Sequence, residues 1–128
     1  MRLRSAAQVF LVDDIASTAR WYAEILDFTA AFFPPDPPHG FAVLQRDGAE
    51  IMLQQLGGYA KPDLYPLRAG GVWDVYFRMD GVAELFDEVA ARVPDAIVEP
   101  LCRQFYGDTE FVLRDPNGYV LVFSELES

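Results

Sequence analysis

Asp74, Tyr76 and Arg78 fall two residues apart, the spacing that puts side chains on one face of a β-strand. Val75, Phe77 and Met79 take the other face, which is apolar and suited to packing on a helix through Leu85, Phe86 and Val89. A carboxylate, a phenol and a guanidinium on one face can hold a small molecule by charge, flat contact and hydrogen bonding. For Asp74 and Arg78, a structural ion pair on the sheet is the competing reading. Segment 50–54 alternates likewise, with Glu50, Met52 and Gln54 opposite Ile51 and Leu53. Phe33 and Phe41 flank the proline-rich stretch FFPPDPPHG, where they suit either stacking on a planar ligand or a subunit interface. Tyr106 and Glu110 open the last strand-rich stretch. The expected ligand-contacting set is Asp74, Tyr76, Arg78, Met52, Gln54, Phe33, Phe41, Tyr106 and Glu110.

Other chemistries lack their parts. Ser5, Ser17, Ser124 and Ser128 have no histidine at a motif distance and no G-x-S-x-G around them. The single cysteine, Cys102, has neither a histidine neighbour nor a C-x-x-C partner, so it reads as a structural thiol. The single histidine, His39, lies in the proline-rich loop. Gly57-Gly58 and Gly70-Gly71 belong to no phosphate-binding or dinucleotide fingerprint. No catalytic residue is assigned, and no cofactor is expected.

The elements that must position these residues occur twice. The stretch VFLVDDIASTARWYAEIL from Val9 matches YFRMDGVAELFDEVAARV from Tyr76 at an offset of 67. Ile15, Ala19, Tyr22 and Leu26 fall on Val82, Phe86, Val89 and Val93, a helical spacing in both copies. Asp14 and Ser17 are the expected caps of the first helix. Further on, GFAVLQRDGAEIMLQQ (40–55) matches the segment ending DPNGYVLVFSE. Aligning Gly48 on Gly118 puts Phe41 on Phe111, Val43 on Leu113, Met52 on Val122 and Leu53 on Phe123. Asp47-Gly48 and Asp115-Pro116-Asn117-Gly118 supply turn chemistry. Each half therefore reads as strand, helix and three strands. The predicted arrangement is one α+β domain over 1–128, with module one at about 6–56, a linker at 57–70 and module two at about 71–126.

Composition agrees with a packed domain, at 52% hydrophobic and 23% charged residues. No apolar run has the length of a membrane span, and Asp13-Asp14 interrupt the N-terminal apolar run too soon for a secretory signal. A cytoplasmic setting is expected, which the lone cysteine fits. The net charge of −10 would repel phosphates, so neither nucleic acid nor membrane is an expected partner. The same field would attract a cationic small molecule, although acidity for solubility alone is the commoner reason for such a charge.

Two βαβββ copies closed by YGDTEFVLRDPNGYVLVFSE resemble the vicinal oxygen chelate superfamily: glyoxalase I, bleomycin-resistance proteins, extradiol dioxygenases and fosfomycin-resistance proteins. Tyr106-Gly107, Glu110-Phe111 and Asp115-Pro116-Asn117-Gly118-Tyr119 are most similar to the bleomycin-resistance branch. The resemblance implies curved mixed sheets around a ligand cup, paired cups, and commonly a homodimer. It also implies four metal-ligand positions in metal-dependent members, which here hold Ala7, Met52, Asp74 and Val122. Three of these cannot coordinate a divalent cation. A register slip would offer Gln8 or Glu50, but it would turn a whole strand's apolar face outward. The expected function is therefore a metal-free binding protein for a cationic or aromatic small molecule, with its cup at or near a dimer interface. The alternative is a glyoxalase-like lyase or dioxygenase with an atypical metal site using Asp74 and Glu50 or Glu110.

Overall fold

A computed structural model describes residues 1–127; Ser128 lies outside the described residues. The chain forms two compact units, one of residues 1–61 and one beginning at Pro62.

The first unit runs β1 (Gln8–Val12), α1 (Ile15–Leu26), β2 (Thr29–Phe33), β3 (Phe41–Arg46) and β4 (Ala49–Gln55). Its sheet order is β1-β4-β3-β2, with β1 parallel to β4 and the remaining pairs antiparallel. The apolar face of α1 supplies Ile15, Ala19, Tyr22 and Leu26 to the core. Phe10, Val12, Ala42, Leu44, Ile51 and Leu53 are the buried sheet residues. The period of four along the helix and two along the strands makes these faces meet.

The second unit repeats the plan with β5 (Val75–Arg78), α2 (Val82–Arg92), β6 (Ile97–Arg103), β7 (Thr109–Arg114) and β8 (Val120–Glu125), in sheet order β5-β8-β7-β6. Its helix-side core is aromatic. Phe111 stacks on Phe123 with centroids 5.1 Å apart, Phe77 stacks on Phe123 at 4.8 Å, and Phe86 meets Phe111 edge-on at 5.3 Å. Both faces of β8 are buried, as the continuous apolar run predicts.

Pairing corrects the sequence alignment of the two copies by one residue in one strand. Leu53 pairs with Ala42, whereas Phe123 pairs with Phe111, so Ala42 rather than Phe41 is the counterpart of Phe111. Between the corresponding pairs Gln45–Glu50 and Arg114–Val120 the β7–β8 connection has one residue more, because Asp115 organises it: its carboxylate accepts from the backbone N–H of Asn117 and of Tyr119 at 2.8 and 2.9 Å. Phe41 thereby becomes the counterpart of Glu110, and Gln54 that of Ser124.

The helix starts show how the repeat is held. Asp14 caps α1, its carboxylate accepting from Ser17 N–H at 3.1 Å. Gly81 caps α2 without a side chain, and there the carboxylate of Glu125 accepts from the N–H groups of Gly81 and Val82, both at 3.0 Å. Gln55, at the matching end of β4, accepts from Ile15 N–H at 2.9 Å. In both units the last strand thus accepts from N–H groups at the start of the unit's α-helix. Hydrogen bonds from the Ser17 hydroxyl and backbone hold the Asp14 carboxyl below its usual 3.8. A depressed value contributes stability that is present above the ordinary range and lost as pH falls through the lowered one. Asp14→Ala is expected to cost about 0.5–2 kcal/mol at neutral pH. Asp14→Asn should keep most of the cap while flattening the loss of stability below about pH 4, as urea unfolding across pH would read.

The second half of the expected linker is tied to the second unit. Tyr65, in a 3-10 turn over Tyr65–Leu67, packs with Tyr76 and Val98 on the cluster of Val112, Val120 and Val122. Arg114 pairs with Asp63 at 3.2 Å and lies 5.6 Å over the Tyr65 ring. Gly71, at φ +88°, lies so close under Tyr65 that a Cβ there would overlap the ring. Among the described residues, no helix is long and apolar enough to cross a membrane.

Candidate functional site

On the face of the second sheet opposite α2, the side chains of β5, β7 and β8 converge. Tyr76 projects from β5, Glu110 from β7 and Ser124 from β8, while Asp108 stands one step before β7. Period two places Glu110 beside Val112, and Val122 beside Ser124, on this face. The Tyr76 hydroxyl donates to the Glu110 carboxylate and lies 2.9 Å from Ser124 Oγ and 3.4 Å from Asp108 Oδ2. Arg78, next along β5, donates to Asp108 Oδ2 at 3.0 Å, and its guanidinium carbon lies 5.3 Å from the centre of the Tyr76 ring. Glu110 and Asp108 are 3% and 6% exposed, an unusual depth for carboxylates.

Two further aromatics frame this cluster. Trp73 lies 5.6 Å from Tyr76 at an interplanar angle of 38°. Tyr106 meets Phe105 edge-on at 5.0 Å and turns its hydroxyl towards Glu110 and Tyr76. Burial, followed by the hydrogen bond to Glu110, pushes the Tyr106 phenol well above its usual range. Tyr106 as a residue is nevertheless 44% exposed. Tyr76 is raised by burial first and by Glu110 second. Both phenols are therefore neutral donors at physiological pH, aimed at a carboxylate.

Of the residues expected from sequence, the fold brings Tyr76, Arg78, Tyr106 and Glu110 together. The Asp74 carboxylate is engaged elsewhere: it accepts from Val120 N–H at 2.8 Å, and its own N–H donates to Val120 O at 2.9 Å. The ion-pair partner of Arg78 is Asp108, not Asp74. Asp108 and Ser124 were not anticipated. The signal for Asp108 was present as a two-residue step to Glu110, and that for Ser124 as a two-residue step from Val122. Phe33, Phe41, Met52 and Gln54 lie on the matching face of the first sheet, where Phe33 pairs with Phe41, Phe41 with Gln54, and Met52 with both Val43 and Val9. That face is apolar and half open, with Val9 and Phe33 exposed.

The donor set does not fit a metal of the kind that the sequence resemblance implies for metal-dependent relatives. Met52 and Val122 offer no hard ligand, the Asp74 carboxylate is bonded to backbone, and Glu50 accepts from Gln45 Nε2 at 2.8 Å. Among the described residues, no three His, Cys, Asp or Glu side chains come together.

Two βαβββ modules, each with one α-helix and a mixed four-stranded sheet, define the class of protein. The chain belongs to the Glyoxalase/Bleomycin resistance protein/Dioxygenase superfamily, whose family model matches residues 5–123. Its fold is similar to that of a bleomycin resistance determinant encoded on the transposon Tn5, at 23% identity and a TM-score of 0.70 over 98% of this chain and 100% of that one. It is also similar to a glyoxalase-related enzyme from Clostridium phytofermentans, at 16% identity and a TM-score of 0.74 over 99% and 98%. An integron cassette protein from V. cholerae is 26% identical with a TM-score of 0.64, covering 99% of each chain. No curated protein matches the chain.

Proposed function

We propose that this protein is a metal-free member of the superfamily that binds a cationic or aromatic small molecule at the face of its second sheet opposite α2. The observation that carries this reading is the buried pair Asp108 and Glu110 set among Trp73, Tyr76 and Tyr106. Aromatic faces and buried carboxylates are what a desolvated organic cation requires. The apolar face bearing Phe33, Phe41, Met52 and Gln54 is suited to a flat ligand surface or to a second copy of the chain. A cytoplasmic homodimer with its cup at or near the interface is part of this proposal; sedimentation at low micromolar concentration showing only a 14 kDa species would refute that part.

The ligand test is made in a Trp21→Phe background, which leaves the indole of Trp73 as reporter, with proflavine as a planar cation and anilinonaphthalene sulfonate as a planar anion. Proflavine is expected to quench tryptophan fluorescence saturably, less so at high salt, and the anion is expected not to. Glu110→Gln should weaken proflavine by about tenfold or more, the worth of one charge-assisted contact. Equal binding of cation and anion would refute the reading. Stoichiometric zinc, iron, nickel or manganese surviving dialysis would favour the metal-dependent lyase or dioxygenase instead.

A further inference from the structure

We propose that Asp108 is the anchor of an organic-cation subsite whose place is held in the free protein by the chain's own Arg78, and that a ligand bearing a guanidinium or amidinium head displaces that side chain. The inference rests on the ligand-binding reading above and names the chemistry of the head group. Three observations converge on it. First, the pair is lopsided: Asp108 is buried while the Arg78 side chain is 60% exposed. A buried carboxylate is costly to leave unpaired, whereas an exposed guanidinium loses little by moving into water. Second, the guanidinium already makes the contacts of a bound organic cation, a hydrogen bond to Asp108 at 3.0 Å and a seat 5.3 Å over the Tyr76 ring. Third, Arg78 has somewhere to go. A groove of about 240 Å³ beside it is lined by Arg78, Met79, Asp80 and Leu126, and Asp80 offers an exposed carboxylate there.

Charge points the same way. The face buries two carboxylates, and among the described residues Arg78 pairs with Asp108. The partners of Glu110 are the neutral hydroxyls of Tyr76 and Tyr106. A ligand cation replacing Arg78 at Asp108 leaves the buried charge unchanged, whereas the displaced Arg78 gains the Asp80 carboxylate. A tethered group competes at an effective concentration of about millimolar. Simple guanidinium compounds should therefore bind wild type weakly and a variant without the tether well.

The experiment is chemical rescue of Arg78→Ala by ethylguanidinium, read as the melting temperature against equimolar sodium chloride. At about ten times its Kd, ethylguanidinium is expected to raise the melting temperature of R78A by roughly 5 °C. Wild type should move by much less, and Arg78→Ala combined with Asp108→Asn should not move. If R78A does not fold, Arg78→Met keeps the stem over the Tyr76 ring and serves for the same comparison. Equal shifts in R78A and the double variant, or none in R78A or R78M, would overturn the proposal. Proflavine binding to wild type separates this outcome from failure of the broader reading. Binding without rescue leaves a ligand site with no Arg78 exchange, and rescue without proflavine binding leaves a cation subsite but not a site for planar ligands.

Discussion

Phe111→Ala is expected to lower the unfolding free energy by about 3–5 kcal/mol, the range for a fully buried phenylalanine truncated to alanine. Phe111 has no exposed surface, stacks on Phe123 at 5.1 Å and meets Phe86 edge-on at 5.3 Å. Deleting the ring removes one layer of a run of rings from the helix to β5 and takes a stacking partner from Phe123, which keeps its stack on Phe77. Backbone ladders hold β7 and β8 in place, so the hole cannot collapse freely and the cavity cost adds to the transfer cost. Small domains have only about 5–15 kcal/mol in total, which makes the loss large enough to shift the urea midpoint far. Phe105→Ala is the control. That ring is 99% exposed, and its removal should change stability by less than about 0.5 kcal/mol. A Phe111→Ala midpoint within the error of the Phe105→Ala one would show that the aromatic stack is not the core of the second unit.

The legible part of this fold was periodicity, and the illegible part was what closes each turn and satisfies each polar group. The offset of 67 between β1–α1 and β5–α2 could be read because helix and strand faces repeat their apolar residues at fixed spacing. Aligning the turn glycines Gly48 and Gly118 puts Phe41 on Phe111. The fold instead aligns Ala42 there, since Asp115 draws one extra residue into its turn. The alternation Asp74, Tyr76, Arg78 gave the correct face for Tyr76 and Arg78. It did not show that Asp74, just before β5, would bond to Val120 backbone, because strand ends are fixed by pairing rather than by period. Local spacing singles out neither Ser124 nor Asp108 as a site residue. Their role depends on β5, β7 and β8 lying side by side, a long-range fact that no local spacing contains.

Tyr76→Phe is expected to cost about 1–3 kcal/mol, more than removal of one oxygen from a half-buried ring would suggest. By strand alternation alone, Tyr76 faces away from the helix and its truncation should be mild compared with that of Phe77. The hydrogen bonds alter that expectation. The single phenolic proton goes to Glu110, which is 3% exposed, and the same oxygen lies 2.9 Å from Ser124 Oγ. Removing it strips a buried carboxylate of a donor, and an unsatisfied buried acceptor costs more than a hydrogen bond contributes. Glu110→Leu in the Tyr76→Phe background should therefore recover most of the loss, a coupling that urea unfolding of the four proteins measures directly. The alkaline limb gives a second reading. Burial and the Glu110 carboxylate raise the Tyr76 phenol above its ordinary 10.0. A raised value contributes stability that is complete below about pH 10 and lost as pH climbs through the folded value. Wild type should accordingly lose stability more steeply than Tyr76→Phe above about pH 10, narrowing the gap between them. Additive single-mutant losses at neutral pH, with parallel alkaline limbs, would mean that the Tyr76 hydroxyl and Glu110 do not act as one unit.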